Sequence, residues 1–292
     1  MIRKCLAVGI ILLFAGTGIV SAQKTTSTHE TLLGDGFGLQ SYITVSWSGN
    51  QTQEPLDPLG APRLITINVA YNVIKSLFGR IILSYYVLTK QTINISIEII
   101  DKPDYCTATL SQSSLRFPIS EIPLVQQTNL TVAINDHAPA YEPFFISMKA
   151  SVDTVFGPFS FLPFIHGFEQ IFSLGVVPGY LPRIVVTPAS DYINVTPGNT
   201  SHLLINITNT GNAKTIVMTN IVDWPSGDWL ISIPSVVVLD VNTSDDICLS
   251  VVPPNDFNET EILTITFTPY KADDYTQHGE PAYITIIVIC EP

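Results

Sequence analysis

From Ser41 onward the chain alternates apolar and polar residues in segments of four to nine, rich in Val, Ile, Thr and Tyr and closed by Pro, Gly, Asn or Asp. Such a two-residue period marks half-buried strands, because successive side chains leave a strand on opposite faces. In the run from Thr92 to Ile99, Ile93, Ile95, Ile97 and Ile99 take the buried face, while Thr92, Asn94, Ser96 and Glu98 take the wet one. The pattern predicts strands at about 41–47, 63–73, 81–89, 92–100, 105–110, 129–135, 144–151 and, after a hairpin, 168–176. It restarts with strands near 183–187, 192–196, 201–209, 214–222, 229–239, 246–252, 260–268 and 282–290. No segment sustains a helical period, although Val73 to Phe78 has room for one turn. Many short strands with turn signals and few helices specify an all-β chain of two tandem Ig-like antiparallel β-sandwiches.

Pro178-Gly179-Tyr180-Leu181-Pro182 places two prolines and a glycine in five residues, which marks the boundary between the sandwiches. Residues 1–22 then form a leader, 23–40 a flexible polar spacer, 41–180 the first sandwich and 183–292 the second. The two halves read as copies of one unit. Asp104-Tyr105 matches Asp228-Trp229, and Leu115 to Ile119 matches Val236 to Leu239. Asn129 to Ala140 matches Asp246 to Asn255, and Phe144 to Val152 matches Ile262 to Tyr270. The offsets, about 117 to 124 residues, suit one sandwich per repeat.

The first 22 residues have the build of a secretory signal: Arg3 and Lys4, an uncharged apolar run from Leu6 to Val20, then Val20-Ser21-Ala22 before Gln23. An uncleaved leader serving as an N-terminal anchor is the competing reading. No later apolar run reaches the roughly 20 residues of a membrane span, so no transmembrane segment is expected after cleavage. Cleavage removes two of 13 basic residues and none of 25 acidic ones, leaving 11 minus 25, a net charge of about −14. Nucleic acid and anionic lipid are both recognised by Lys and Arg, so an excess of this sign argues against either as partner.

Composition gives the 15 asparagines an expectation of about two or three Asn-X-Ser/Thr sequons. There are eight, at Asn50, Asn94, Asn129, Asn194, Asn199, Asn206, Asn242 and Asn258. A Thr-rich β protein makes some by accident. Alternation nevertheless turns Asn94 outward, Asn129 outward beside inward Leu130, Val132 and Ile134, and Asn206 outward beside inward Leu203, Ile205 and Ile207. These are the accessible positions a glycan needs, and the chain is expected to be an extracellular or cell-surface glycoprotein.

The second half carries Val195-Thr196-Pro197-Gly198-Asn199 and then Asn206-Ile207-Thr208-Asn209-Thr210-Gly211-Asn212. Gly227-Asp228-Trp229 and Leu249-Ser250-Val251-Val252-Pro253-Pro254 follow. This series resembles the Ig-like accessory domains called CARDB, and the domains associated with carbohydrate-binding modules, of archaeal and bacterial secreted or surface proteins. The resemblance covers about residues 184 to 290 and reaches the first half only weakly, since that half lacks the Asn-Thr-Gly-Asn turn. It implies a sandwich with a spacer or adhesion role and transfers no catalytic residue. Physically these residues make the fold: Pro197-Gly198 turns the chain, Asn209 and Gly211 suit a positive-φ turn, and Trp229 is large enough to fill the space between two sheets.

Three cysteines follow the leader, Cys106, Cys248 and Cys290, so at least one stands outside any intramolecular disulfide. Cys248 and Cys290 are the candidate pair. Their parities disagree, since Cys290 shares a face with Ile284, Ile286 and Val288 while Cys248 alternates against Ile247, Leu249 and Val251, and a bond requires a bulge or a turned strand end. The five histidines are scattered, and no zinc spacing, nucleophile elbow, metalloprotease helix or phosphate loop occurs. No cofactor is expected. The acidic pairs Asp245-Asp246 and Asp273-Asp274 could offer Ca²⁺ its oxygens, but solvated loops are the simpler reading.

The most unusual stretch is a hairpin over 155–168, where Phe156, Phe159, Phe161, Phe164 and Phe168 interleave with Pro158, Leu162, Pro163, Ile165 and Gly167. So apolar a loop should not be left in water. Either it folds back and buries its rings, as an apolar joint of two tandem sandwiches would, or Phe156, Phe159, Phe161, Leu162, Phe164 and Ile165 form a tip that docks on an extracellular protein or a polysaccharide. The function expected is a non-enzymatic secreted or surface interaction module. A carbohydrate-binding or enzyme-accessory protein is the alternative, and a hydrolase has the least support.

Overall fold

The computed structural model describes residues 25–28, 39–48, 54–75, 79–156, 163–165, 167–223 and 225–290. The leader and Asn50 lie outside the described residues. The chain forms two compact units, the first from the described residues of Met1–Asn135 and Glu142–Pro178, the second from those of Asp136–Tyr141 and Gly179–Pro292.

In the first unit the strands are β1 (Thr25–Thr28), β2 (Leu39–Trp47), β3 (Arg63–Lys75), β4 (Thr92–Asp101), β5 (Cys106–Leu110) and β6 (Ser114–Pro118). They continue with β7 (Leu124–Ile134), β8 (Phe144–Val152), β9 (Val155–Phe156), β10 (Pro163–Ile165) and β11 (Phe168–Val176). One sheet has the order β1-β2-β3-β7-β5, the other β11-β8-β4-β6, and β9 pairs with β10 alone. The alternation read from sequence is what closes the core: Ile93, Ile95 and Ile97 are at most 1% exposed. Ile99 is only half-buried, next to a register shift before Asp101. Leu130, Val132, Ile146 and Met148 join this interior, with Trp47 stacked on Phe172 at 6.4 Å and Tyr71 against Phe117 at 6.2 Å.

The strand expected at about 81–89 is instead a helix, α1 (Gly79–Leu88). Its Ile, Tyr and Val content favours a strand by propensity, which tertiary context overrides. Its buried residues are Gly79, Leu83 and Tyr86, spaced i, i+4, i+7 along one helical stripe. The end is a Schellman arrangement: Gln91 N–H donates to the Tyr86 carbonyl at 3.0 Å and Lys90 N–H to that of Val87 at 3.2 Å. Lys90 sits at φ 52°, where glycine is usual. The turn envisaged between Val73 and Phe78 is not seen at its start, since Val73 to Lys75 belong to β3, and residues 76–78 lie outside the described residues.

The second unit runs β12 (Ile184–Pro188), β13 (Tyr192–Val195), β14 (Ser201–Asn209), β15 (Thr215–Ile221), β16 (Leu230–Ser232) and β17 (Val236–Leu239). Then come β18 (Ser244–Val252), β19 (Thr260–Lys271), β20 (Asp274–His278) and β21 (Ala282–Cys290). Its sheets have the orders β12-β14-β18-β16 and β13-β21-β19-β15-β17, with β20 on β19. All pairings are antiparallel except that β13 runs parallel to β21. The core gathers Val195, Ile205, Ile207, Val217, Leu249, Val251, Ile265, Phe267 and Ile286 around Trp229, whose ring meets Phe257 edge-on at 4.7 Å.

Strand by strand the units repeat: β2-β3-β7-β5 corresponds to β12-β14-β18-β16, and β11-β8-β4-β6 to β21-β19-β15-β17. The four segment pairs matched in sequence fall at equivalent places, just before β5 and β16, and on β6 and β17, β7 and β18, β8 and β19.

The Asn-Thr-Gly-Asn turn works differently from expectation. Neither Asn209 nor Gly211 has positive φ, whereas Gly198 (70°) and Gly227 (104°) do. Asn209 is fully buried, and its amide nitrogen donates to the carbonyls of Ala213 (2.9 Å), Leu239 (3.2 Å) and Asp240 (3.2 Å) while its oxygen accepts from Gly211 N–H at 3.0 Å. Gly211 is required by close approach, since a Cβ there would lie 2.3 Å from the Leu181 carbonyl oxygen. Asn212, 5% exposed, donates to the carbonyls of Ala138 and Gly179, both at 2.8 Å, and accepts from Leu181 N–H at 2.7 Å. Ala140 N–H in turn donates to the Asn212 carbonyl at 3.2 Å. These bonds are why Asp136–Tyr141, expected within the first sandwich, belong to the second unit.

Candidate interaction surfaces

The Phe-rich hairpin is described at its two ends. Phe159, Phe161 and Leu162 lie outside the described residues, while Phe156 and Phe164 contribute backbone to β9 and β10. Ile165 and Phe168 are buried, and β10 lies beside β2, so the returning arm folds onto the first sandwich. Ile165 is thereby removed from any exposed tip.

A surface that the sequence did not announce stands on α1. Ile81 is 71% exposed, Tyr85 42% and Leu88 81%, and their spacing puts all three on one stripe opposite Leu83 and Tyr86. A strand reading of 81–89 distributes these residues over two faces and hides the stripe. The signal that could have found it is the i, i+4, i+7 spacing of Gly79, Leu83 and Tyr86.

In the second unit the Asn212 bonds hold Asp136–Tyr141 against the β14–β15 turn and shape a groove of about 530 Å³, lined among others by Asp136, His137, Arg183, Val185, Val241 and Asn242. Arg183 Nη1 is 3.9 Å from Asp136 Oδ2, and His137 Nε2 is 3.8 Å from Asp136 Oδ1. The pairs are half-exposed to exposed, so they position a charge at the rim and stabilise little. None of the described lining side chains is Phe, Tyr or Trp. Nearby, Lys271 stands 4.8 Å over the Tyr141 ring and bonds Asp273, while the Tyr141 hydroxyl donates to Gln277.

Seven of the eight sequon asparagines are described, and they fall into two environments. Asn94, Asn194, Asn199, Asn242 and Asn258 are exposed, Asn194 outward on β13 and Asn242 at φ 58° in a turn. Asn206 is half-buried, with its amide nitrogen donating to Asp246 Oδ1 at 2.7 Å. Asn129 is also half-buried and accepts from Thr66 Oγ1 at 3.2 Å.

Cys248 and Cys290 are not joined, which corrects the candidate disulfide. They belong to different sheets, and the parity mismatch persists without a compensating bulge. Cys248 is exposed on β18 with Sγ 3.5 Å from His202 Nδ1, while Cys290, ending β21, donates through Sγ to the Phe257 carbonyl at 3.2 Å. Burial pushes the Cys106 thiol upward, with Lys102 opposing it. The acidic pair Asp273-Asp274 is engaged within its own loop. The hydrogen bond from Lys271 holds Asp273 below the ordinary carboxylate range, and that from Thr276 does the same for Asp274. Among the described residues no group of three or more His, Cys, Asp or Glu is placed to hold a metal ion, and no helix is long and apolar enough to cross a membrane.

The strand orders define each unit as an Ig-like β-sandwich. No family profile and no curated protein matches the sequence. Solved structures with similar parts include the CsuC-CsuE chaperone-tip adhesion subunit complex of Acinetobacter baumannii, at 12% identity and a TM-score of 0.27. That match covers 37% of this chain and 57% of the other, so it spans little over half of that chain's length. A protein of unknown function from Porphyromonas gingivalis W83 is 12% identical with TM-score 0.27, over 85% of this chain and 99% of that one. The Dpr2 Ig1-Ig2 complex with DIP-Theta Ig1-Ig3 gives 8%, 0.29, 87% and 73%. Likenesses at these scores say nothing of activity or partner.

Proposed function

We propose that this chain is an exported, non-enzymatic interaction module, working at or outside the cell surface by docking the apolar stripe of α1 on a protein partner. The observation that carries the reading is the exposure of Ile81, Tyr85 and Leu88 on one helical face. Apolar side chains aligned in this way lose free energy to water and regain it in a partner's apolar groove. The leader and the excess of sequons support export, and the net charge of about −14 after cleavage disfavours an anionic lipid surface as the occupant. Capture of proteins from the native cell surface by the full-length chain tests it. Ile81→Ser and Leu88→Ser are each expected to weaken capture about tenfold, as anchor residues do. Undiminished capture by the double variant sinks the reading.

The alternative, a carbohydrate-binding or enzyme-accessory protein of the CARDB kind, draws on the turn and Trp motifs of the second unit and on the ring-rich hairpin. The described groove offers it no Phe, Tyr or Trp ring on which a sugar would stack. Polysaccharide binding that vanishes with Phe159→Ala and Phe161→Ala would put this reading first.

A further inference from the structure

The outer face of the six-stranded arrangement in the second unit carries an apolar row where three strands meet. Tyr192 on β13 is opposite Ile287 on β21, and Ile287 is opposite Ile262 on β19. Their exposures are 52%, 41% and 55%. Next to this row, Asn194 is opposite Ile289, which is opposite Thr260. The pattern of β13, exposed-buried-exposed-buried over Tyr192, Ile193, Asn194 and Val195, puts Tyr192 and Asn194 on the same outward face. Thr196, which completes the sequon, is also exposed, and a second sequon, Asn258-Glu259-Thr260, enters β19 at the other side of the row.

We propose that Asn194 carries an N-linked glycan whose first sugar lies on the Tyr192 ring and covers the row Tyr192-Ile287-Ile262. The occupant is fixed by attachment. A sugar joined to Asn194 begins one side-chain position from Tyr192 on the same face of an edge strand, and the C–H face of a pyranose is apolar enough to rest on a phenol ring. The other strand sequons lack this arrangement: Asn94 faces Arg116 across the β4–β6 pairing, while Asn129 and Asn206 are half-buried. The modification rests on the export reading, since its donor, a lipid-pyrophosphate-linked oligosaccharide, is met in the exported compartment. Asn194 Nδ2 bonds to the anomeric carbon, the bond from that carbon to the pyrophosphate oxygen breaks, and the proton lost by the amide ends on the released lipid pyrophosphate. No oxidant or reductant is needed.

The test is a double-mutant cycle on the full-length chain secreted from a host that attaches N-glycans, with site occupancy read by mass spectrometry. Thr196→Ala and, independently, Asn194→Gln remove this glycan and leave the other sequons intact. Each is expected to lower the thermal midpoint of the second unit by about 3 °C when Tyr192 is present, and by under about 1 °C in the Tyr192→Ser background. The same variants made in a host without the transferase should show no such coupling. Equal losses in both backgrounds would overturn the stacking. In chain recovered from its native cells, a bare Asn194 beside other occupied sequons overturns the proposal alone. If every sequon is bare, the proposal falls together with the glycoprotein part of the export reading.

Discussion

Asn212 shows how much of the second unit hangs on one amide. With 5% exposure it satisfies two carbonyls, Ala138 and Gly179, and one N–H, Leu181, from chain segments 33 to 74 residues away or 31 residues away. Removing the side chain takes this partner from two buried carbonyls and one half-buried N–H, which costs more than the bonds themselves contribute. Asn212→Ala is therefore expected to lower stability by about 3 kcal/mol, read by urea unfolding, while Asn220→Ala on the exposed face should change it by under about 0.5 kcal/mol. A change at Asn212 no larger than at Asn220 would refute the anchoring role. That this residue type belongs in a turn was legible in the Asn-Thr-Gly-Asn motif. Its partners were not, because Ala138 lies far off in sequence.

At the scale of elements, β3 and α1 illustrate opposite outcomes. The alternation of β3 directs Tyr71 into the core, where it is 3% exposed against Phe117. Burial raises its phenol from the ordinary 10.0 to about 12, with Ser41 pulling weakly the other way. A raised native pKa means that the folded state holds the proton more tightly. The corresponding stability is complete below about pH 10 and is lost as pH climbs towards 12. Between those values the wild-type chain should lose about 2 to 3 kcal/mol more than Tyr71→Phe, measured as the difference of their denaturant midpoints at each pH. Parallel pH profiles for the two proteins would contradict it. In α1, by contrast, local propensity pointed to a strand. Packing of Gly79, Leu83 and Tyr86 against the first sandwich chose the helix, and that choice created the exposed stripe.

Over the whole molecule, duplication of one strand order dominates. Both units share two four-strand orders, and each decorates the plan differently: β1, α1, β9 and β10 in the first, β13 and β20 in the second. Among the additions, α1 carries the exposed apolar stripe and β13 carries Tyr192 and Asn194, while the shared strands build the cores and β21 and β19 add Ile287 and Ile262 to the outer row. The export reading makes a prediction at this scale. Chain recovered from outside the cell should begin at Gln23 by intact mass, whereas retention of Met1 would favour the uncleaved anchor.

Alternation by itself determined the two sandwiches, most of their inward residues and the positions of most strands along the chain, because a strand's side chains have a period of two whatever surrounds it. It also set the parities of Cys248 and Cys290 against each other, while the absence of a bulge that could have joined them was decided only in the fold. Only tertiary structure decided that 79–88 coils into a helix, that Asp136–Tyr141 join the second unit, and that Tyr192, Ile287 and Ile262 form one row. Each of these depends on which distant segment lies opposite: register across strands and hydrogen bonds spanning tens of residues are pairings between segments, and no local period in the chain encodes them.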